Sequence, residues 1–109
     1  MKKRYQISLS VILLVLMLAA CGRTLTDLPD AVLAARESLS DKHDIPIAEI
    51  NVDSYSEEEW PNACLGLPEE DEMCAEVITP GYEVTLQAYG EEYVFRTNET
   101  GDVIREETK

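Results

Sequence analysis

The chain contains few of the residues from which catalytic sites are built. It has one histidine, one tryptophan, one phenylalanine and five glycines among 109 residues. One histidine is a poor basis for a zinc site or a histidine-activated nucleophile. The glycines form no phosphate-binding or dinucleotide-binding loop, and no strained nucleophile turn is present. We therefore expect a protein that is not an enzyme, with no catalytic residues, no cofactor and no bound metal.

Basic residues are also scarce. Nine Lys and Arg stand against 22 Asp and Glu, which gives a net charge of −13. A chain of this charge repels nucleic acid, so we expect no nucleic-acid partner. The acids keep the protein soluble, and they also leave calcium or a basic protein partner as alternatives. The acidic runs 57–59 and 69–72 lack the alternate-aspartate spacing of known calcium loops, which disfavours calcium.

No apolar run is long enough for a membrane-spanning helix, which needs ~20 residues. Residues 7–18 are apolar apart from two serines; a basic stretch precedes them at 2–4 and two alanines follow at 19–20. This three-part order is typical of a secretory signal. The alternative is an uncleaved N-terminal anchor, and both interpretations leave the rest of the chain outside the cytoplasm.

The end of this run, Leu18-Ala19-Ala20-Cys21, resembles the lipobox of bacterial lipoproteins. The resemblance implies cleavage before Cys21, acylation of that cysteine with chains such as palmitate, and attachment to a membrane of the cell envelope. More than one acyl chain makes such attachment stable.

This assignment divides the chain into a signal peptide at 1–20, a lipidated tether at 21–26 and a single domain at 27–109. Loss of the signal leaves 89 residues with six basic against 22 acidic side chains, a net charge of −16. A domain of this size has a modest core, and we expect it to be monomeric.

Two cysteines remain after Cys21. Cys64 and Cys74 form an even pair in an oxidising compartment, which predicts a disulfide. By closing this loop, the disulfide would stabilise the folded state by roughly 2.5–3 kcal/mol. Zinc is the rival interpretation, but two thiols with nine residues between them and a single histidine are poorly spaced for it.

An amphipathic helix is predicted at the start of the domain. Asp27 is the expected N-cap, with Pro29 and Asp30 in the first turn. The helix should end near Lys42-His43, because the residue before Pro46 is pushed out of helical geometry. The apolar stripe consists of Leu28, Ala31, Val32, Ala35 and Leu39.

The remainder predicts an antiparallel sheet, and the clearest period-two pattern runs from Tyr82 to Ala88. Turns are expected at 89–91 and 98–101, and Pro80-Gly81 is expected to end a short strand. The predicted strands cover residues 50–55, 75–79, 82–88, 93–97 and a last segment from 103. The fold class is therefore α+β, with one helix packed on three to five antiparallel strands and one disulfide-closed loop.

Four motifs in order carry a resemblance over about residues 27–107. They are W-x-x-x-C-L-G-L at 60–67, Cys74, P-G-Y-x-V at 80–84 and Y-x-F-x-T-N at 93–98. Together they resemble a small extracytoplasmic domain of cyanobacterial and Chloroflexi-type envelope proteins, often lipoproteins. The helix-then-sheet order is also similar to PepSY or cystatin-like domains. That likeness implies an inhibitory or partner-binding role by fold analogy alone.

We therefore expect a non-enzymatic, lipid-anchored envelope domain that binds or inhibits a protein with a basic surface. The expected contact residues are Trp60, Glu69, Glu70, Asp71 and Glu72. Trp60 would be a half-exposed anchor, although its alternative role is to close one edge of the core. The alternative function is a small ligand carrier or minor hydrolase that uses His43 or the acids. His43 also suits the C-terminal end of a helix.

Overall fold

The computed structural model describes residues 27–108. Its elements are helix α1 (Asp30–His43), a 3-10 turn (Ile47–Glu49), and strands β1 (Asn51–Trp60), β2 (Thr79–Ala88), β3 (Glu91–Asn98) and β4 (Ile104–Glu106). The strands form one antiparallel sheet in the order β1-β2-β3-β4. The predicted α+β class is thus confirmed. The predicted signal at 1–20 and the tether with Cys21 lie outside the described residues, and no helix within 27–108 is long and apolar enough to span a membrane.

Helix α1 packs its apolar stripe on one face of the sheet. Val32, Ala35 and Leu39 are fully buried, and they join a cluster with Val84 and Phe95 from the central strands. An isolated amphipathic helix of this length is marginal in water, so most of its stability comes from this contact. The side of the sheet that α1 covers is called the helix face.

The end of α1 is as predicted, but its beginning is not. Asp44, two residues before Pro46, ends the helix in the left-handed conformation, and its N–H donates to the carbonyl of Ser40. At the other end the cap is Pro29, whose carbonyl accepts the N–H of Val32, and no side chain caps the helix. The prediction of Asp27 as the cap is wrong, because Pro29 is extended and leaves Asp27 outside the first turn.

The hairpin between β2 and β3 is confirmed. Tyr89 and Gly90 form its two-residue turn, with positive φ of 51° and 77°. This backbone twist matches the twist of the flanking strands. The hairpin places Val84 opposite Phe95, both buried against α1.

The outer part of the sheet differs from the prediction. Strand β1 continues through its acidic run to Trp60, and it is exposed along most of its length. Residues 75–78 are not a strand, and Pro80 and Gly81 lie inside β2 instead of ending a strand. Gly81 fits there because a Cβ at this position would overlap the Thr97 carbonyl. Pro80 is tolerated close to the beginning of the strand, where a missing N–H disturbs the ladder least.

Candidate functional site

The connection from β1 to β2 folds over the sheet face opposite α1. We call residues 61–78 the disulfide loop, because Cys64 and Cys74 are bonded within it, with their Cα atoms 5.6 Å apart. The predicted disulfide is confirmed. The N–H of Ala63 also donates to the carbonyl of Ala75, 2.9 Å away. The two sides of the loop are therefore joined covalently and by the backbone.

The first turn of the loop is held by one amide side chain. Oδ1 of Asn62 accepts the N–H groups of Cys64 and Gly66, each at 3.0 Å. Leu65 and Gly66 have positive φ of 60° and 74°, which turns the chain back towards the sheet. Cys64 and Leu65 are buried as a result. This turn forms a small second layer on the sheet.

Trp60 lies beneath this layer and is only 7% exposed. Its indole N–H donates to the Thr97 carbonyl at 2.9 Å, and the guanidinium of Arg96 lies 4.6 Å from the ring centroid. The expectation of a half-exposed Trp60 anchor is therefore wrong. The loop and Arg96 cover the ring, and Trp60 has its alternative role at the edge of the core.

Arg96 connects the sheet to the disulfide loop. Its Nη1 donates to the Leu65 carbonyl and its Nε to the Glu107 carboxylate, both at 2.8 Å. Glu83 lies beside this cluster. Burial raises the pKa of Glu83. Charge repulsion by Glu107 raises this pKa further, as does a hydrogen bond to Glu107, while the charge of Arg96 lowers it.

The four acids of the run 69–72 divide into two pairs. Arg105 on β4 donates to Glu69 at 2.7 Å and to Glu72 at 2.6 Å. Glu70 and Asp71 are exposed at the tip and form no ion pair within residues 27–108. The first pair holds the tip against the sheet, and the second presents charge to solvent.

Exposed apolar side chains follow the acids, and sequence analysis missed them. Met73 is 97% exposed, Val77 60% and Ile78 66%. Residues 77 and 78 fell in a predicted strand, where one of two neighbours would be covered. Their loop position exposes both. The loop thus presents apolar area beside the exposed carboxylates of Glu70 and Asp71.

His43 lies at the end of α1, on the opposite side of the sheet from the loop. Its Nε2 is 2.8 and 3.0 Å from the two carboxylate oxygens of Glu106, and its ring meets Tyr93 edge-on at 4.9 Å. These side chains line a groove of about 630 Å³. The groove lining contains neither serine nor cysteine, and its side-chain hydroxyls are those of Tyr93 and Thr108. Burial raises the pKa of Tyr93, and its hydrogen bond to Glu91 adds to the effect.

Cys64, Cys74 and Glu72 have ligand atoms within 4.8 Å of one another. Both sulfurs are used in the disulfide, and zinc requires thiolates. This trio is therefore not suited to hold zinc while the disulfide is formed.

A family profile described as a domain of unknown function, DUF8738, matches residues 32–105. The chain belongs to this family. The DUF8738 match runs from the buried stripe of α1 to Arg105, and so it spans the disulfide loop and both arginines that hold it. No curated protein and no solved structure matches the chain.

Proposed function

We propose that the chain is a non-enzymatic, lipid-anchored envelope domain that binds or inhibits a protein partner with a basic surface. The disulfide loop is the proposed contact surface. The observation that carries this proposal is the exposure of Met73, Val77 and Ile78 beside Glu70 and Asp71, two acids that form no ion pair within residues 27–108.

The stapled base of the loop supports this function. A binding loop that is already ordered loses less conformational entropy when its partner binds. The disulfide, Asn62 and Arg96 each fix the backbone of the loop without using its tip. Exposed apolar side chains then supply contact area, and the carboxylates increase the rate of encounter with a cationic surface.

Partner capture from envelope extracts tests the binding function. Glu70→Gln with Asp71→Asn should reduce capture at low salt only, because at high salt screening already removes the attraction of these two charges. Met73→Ser with Ile78→Ser should reduce it at both. The matched charge control is Glu37→Gln with Asp41→Asn on the exposed side of α1. If all three double variants capture a partner equally well, the contact surface lies elsewhere.

The lipid anchor has a separate test. The lipobox resemblance at 18–21 and the disulfide, which is stable in oxidising compartments, support an envelope location. Mass spectrometry of the native protein should find an N-terminus at acylated Cys21, and Cys21→Ser should leave the precursor unprocessed or release the domain. Unmodified Cys21 in a cleaved, soluble native protein would contradict the anchor.

A small ligand carrier is the second candidate. The groove beside His43 combines the apolar surface of Tyr93 and Val94 with carboxylates, so its ligand would be a small organic cation. Calorimetry with spermidine tests this function, with Tyr93→Ala as the variant that removes a groove wall. Absence of heat, or equal binding by the variant, would reject the carrier.

A further inference from the structure

We propose that the free edge of β1 binds an extended, basic segment of a protein partner as a fifth strand of the sheet. β1 is the terminal strand and contains ten residues. Within residues 27–108 its only strand partner is β2. This surface is separate from the disulfide loop, and the inference goes beyond the function proposed above.

The backbone of an edge strand is one half of the binding site. Alternate residues of β1 direct their N–H and C=O groups away from β2, since the register from Asn51 to Trp60 uses only the inner side. An added strand satisfies these groups with its own backbone, and its side chains supply specificity. Most of β1 is exposed, so an incoming strand displaces little protein surface.

The side chains of β1 select the charge of that segment. Tyr55, Glu57 and Glu59 share the helix face, as their register opposite Val84, Tyr82 and Pro80 requires. Helix α1 does not cover this strip, and Tyr55 is 42% exposed. In an added strand, every second side chain would lie beside it. Lysine or arginine at these alternate positions would meet the two carboxylates and the tyrosine ring.

A shallow groove continues this strip across β2. It has a volume of about 510 Å³ and is lined by Glu57, Glu58, Glu59, Tyr82 and Glu99, with Pro80 and Gly81. Four of these side chains are acidic. Long cationic side chains on an added strand can lie across the groove with their stems on Tyr82.

Two other candidate occupants of the β1 edge, a second copy of β1 and the chain's own residues 22–26, do not fit it. A second copy of β1 would place its own glutamates against those of the first, and like charges on paired strands are destabilising. The chain's residues 22–26 are half the length of β1 and carry one cation, Arg23. An extended basic segment of another protein is the occupant that fits both the backbone and the charge.

The test uses the full chain and a synthetic ten-residue peptide in which lysine alternates with valine. Binding should slow hydrogen exchange at alternate amides of β1. Glu57→Gln with Glu59→Gln should weaken binding about tenfold, in line with two exposed ion pairs. Glu70→Gln with Asp71→Asn removes the same charge from the disulfide loop and should leave peptide binding unchanged. The two double variants therefore separate this inference from the loop proposal.

Two N-methylated peptides test strand pairing directly. In one peptide the backbone nitrogen of every lysine is methylated, and in the other the backbone nitrogen of every valine is methylated. An added strand uses the N–H groups of only one set, so one peptide should bind like the parent and the other should not. Equal binding of all three would show attraction by charge alone and overturn the proposal. β1 amides that are protected without peptide, together with a dimer in light scattering, would also overturn it.

Discussion

Removal of Arg96 is the sharpest test of how the disulfide loop is held. The guanidinium lies between β3 and the loop, with its side chain only 24% exposed. It contacts the Leu65 carbonyl, the Glu107 carboxylate and the ring of Trp60. Arg96→Ala removes all three contacts at once. We expect the loop to loosen and the free energy of unfolding to fall.

The loss can be estimated from the three contacts. A hydrogen bond from a charged donor contributes ~1.5–3 kcal/mol. The contact with the tryptophan ring contributes ~0.5–1 kcal/mol, and a partly exposed ion pair adds under ~1 kcal/mol. Neighbouring contacts are not additive, so we expect a loss of about 2–4 kcal/mol. Arg96→Lys should lose at least half of it, because an ammonium cannot bridge the three partners as the planar guanidinium does.

Urea unfolding followed by tryptophan fluorescence is the appropriate assay, because Trp60 is the only tryptophan. Lys42→Ala is the matched control. It removes another cation, whose ion pair with Glu106 is 55% exposed on the lysine side, and it should cost under ~0.5 kcal/mol. Wild-type stability of Arg96→Lys, or a loss under ~0.5 kcal/mol for Arg96→Ala, would refute the assigned role of the guanidinium.

Three further predictions concern the same face of the sheet. Replacing Cys64 and Cys74 with serine should lower the free energy of unfolding by about 3 kcal/mol in urea; an unchanged midpoint would contradict this. Because the folded state raises the pKa of Glu83 above its ordinary 4.5, wild-type stability falls as pH rises through the raised pKa. Glu83→Gln should therefore be the more stable protein at neutral pH, with the advantage vanishing below pH 4.5; lower stability at neutral pH would exclude the assignment. Gly81→Ala should cost ~3 kcal/mol or prevent folding, because its methyl group would meet the Thr97 carbonyl, and a native melting temperature would show that β2 and β3 can separate there.

The elements that could be predicted are those with one covered face. The stripe of α1 and the pattern from Tyr82 to Ala88 both repeat at the period of their structure, because one side of each meets the core. Gly90 marked the hairpin, since a turn with positive φ favours glycine. Such signals are local and therefore readable from the chain.

The edge of the sheet gave such a signal only in its first half, where the strand predicted at 50–55 overlaps β1 (Asn51–Trp60). β1 is exposed on both faces over most of its length, so its glutamates interrupt any alternation. The bulge between Val52 and Ser54 shifts the register as well. An edge strand is selected by its single neighbour, and that neighbour lies beyond the disulfide loop in sequence.

The site was predictable only in its covalent part. An even pair of cysteines behind a predicted secretory signal sufficed to predict the disulfide. The burial of Trp60 and the roles of Arg96 and Arg105 depend on contacts between residues more than 30 positions apart. No local pattern encodes such contacts.

The supports of the disulfide loop have a consequence for how its sequence can vary. Arg96 binds the main chain of Leu65, and Asn62 binds the main chain of Cys64 and Gly66. These supports recognise peptide groups, which are the same whatever side chains the tip carries. The side chains at the tip can therefore differ between family members while the same main-chain hydrogen bonds hold the loop in place.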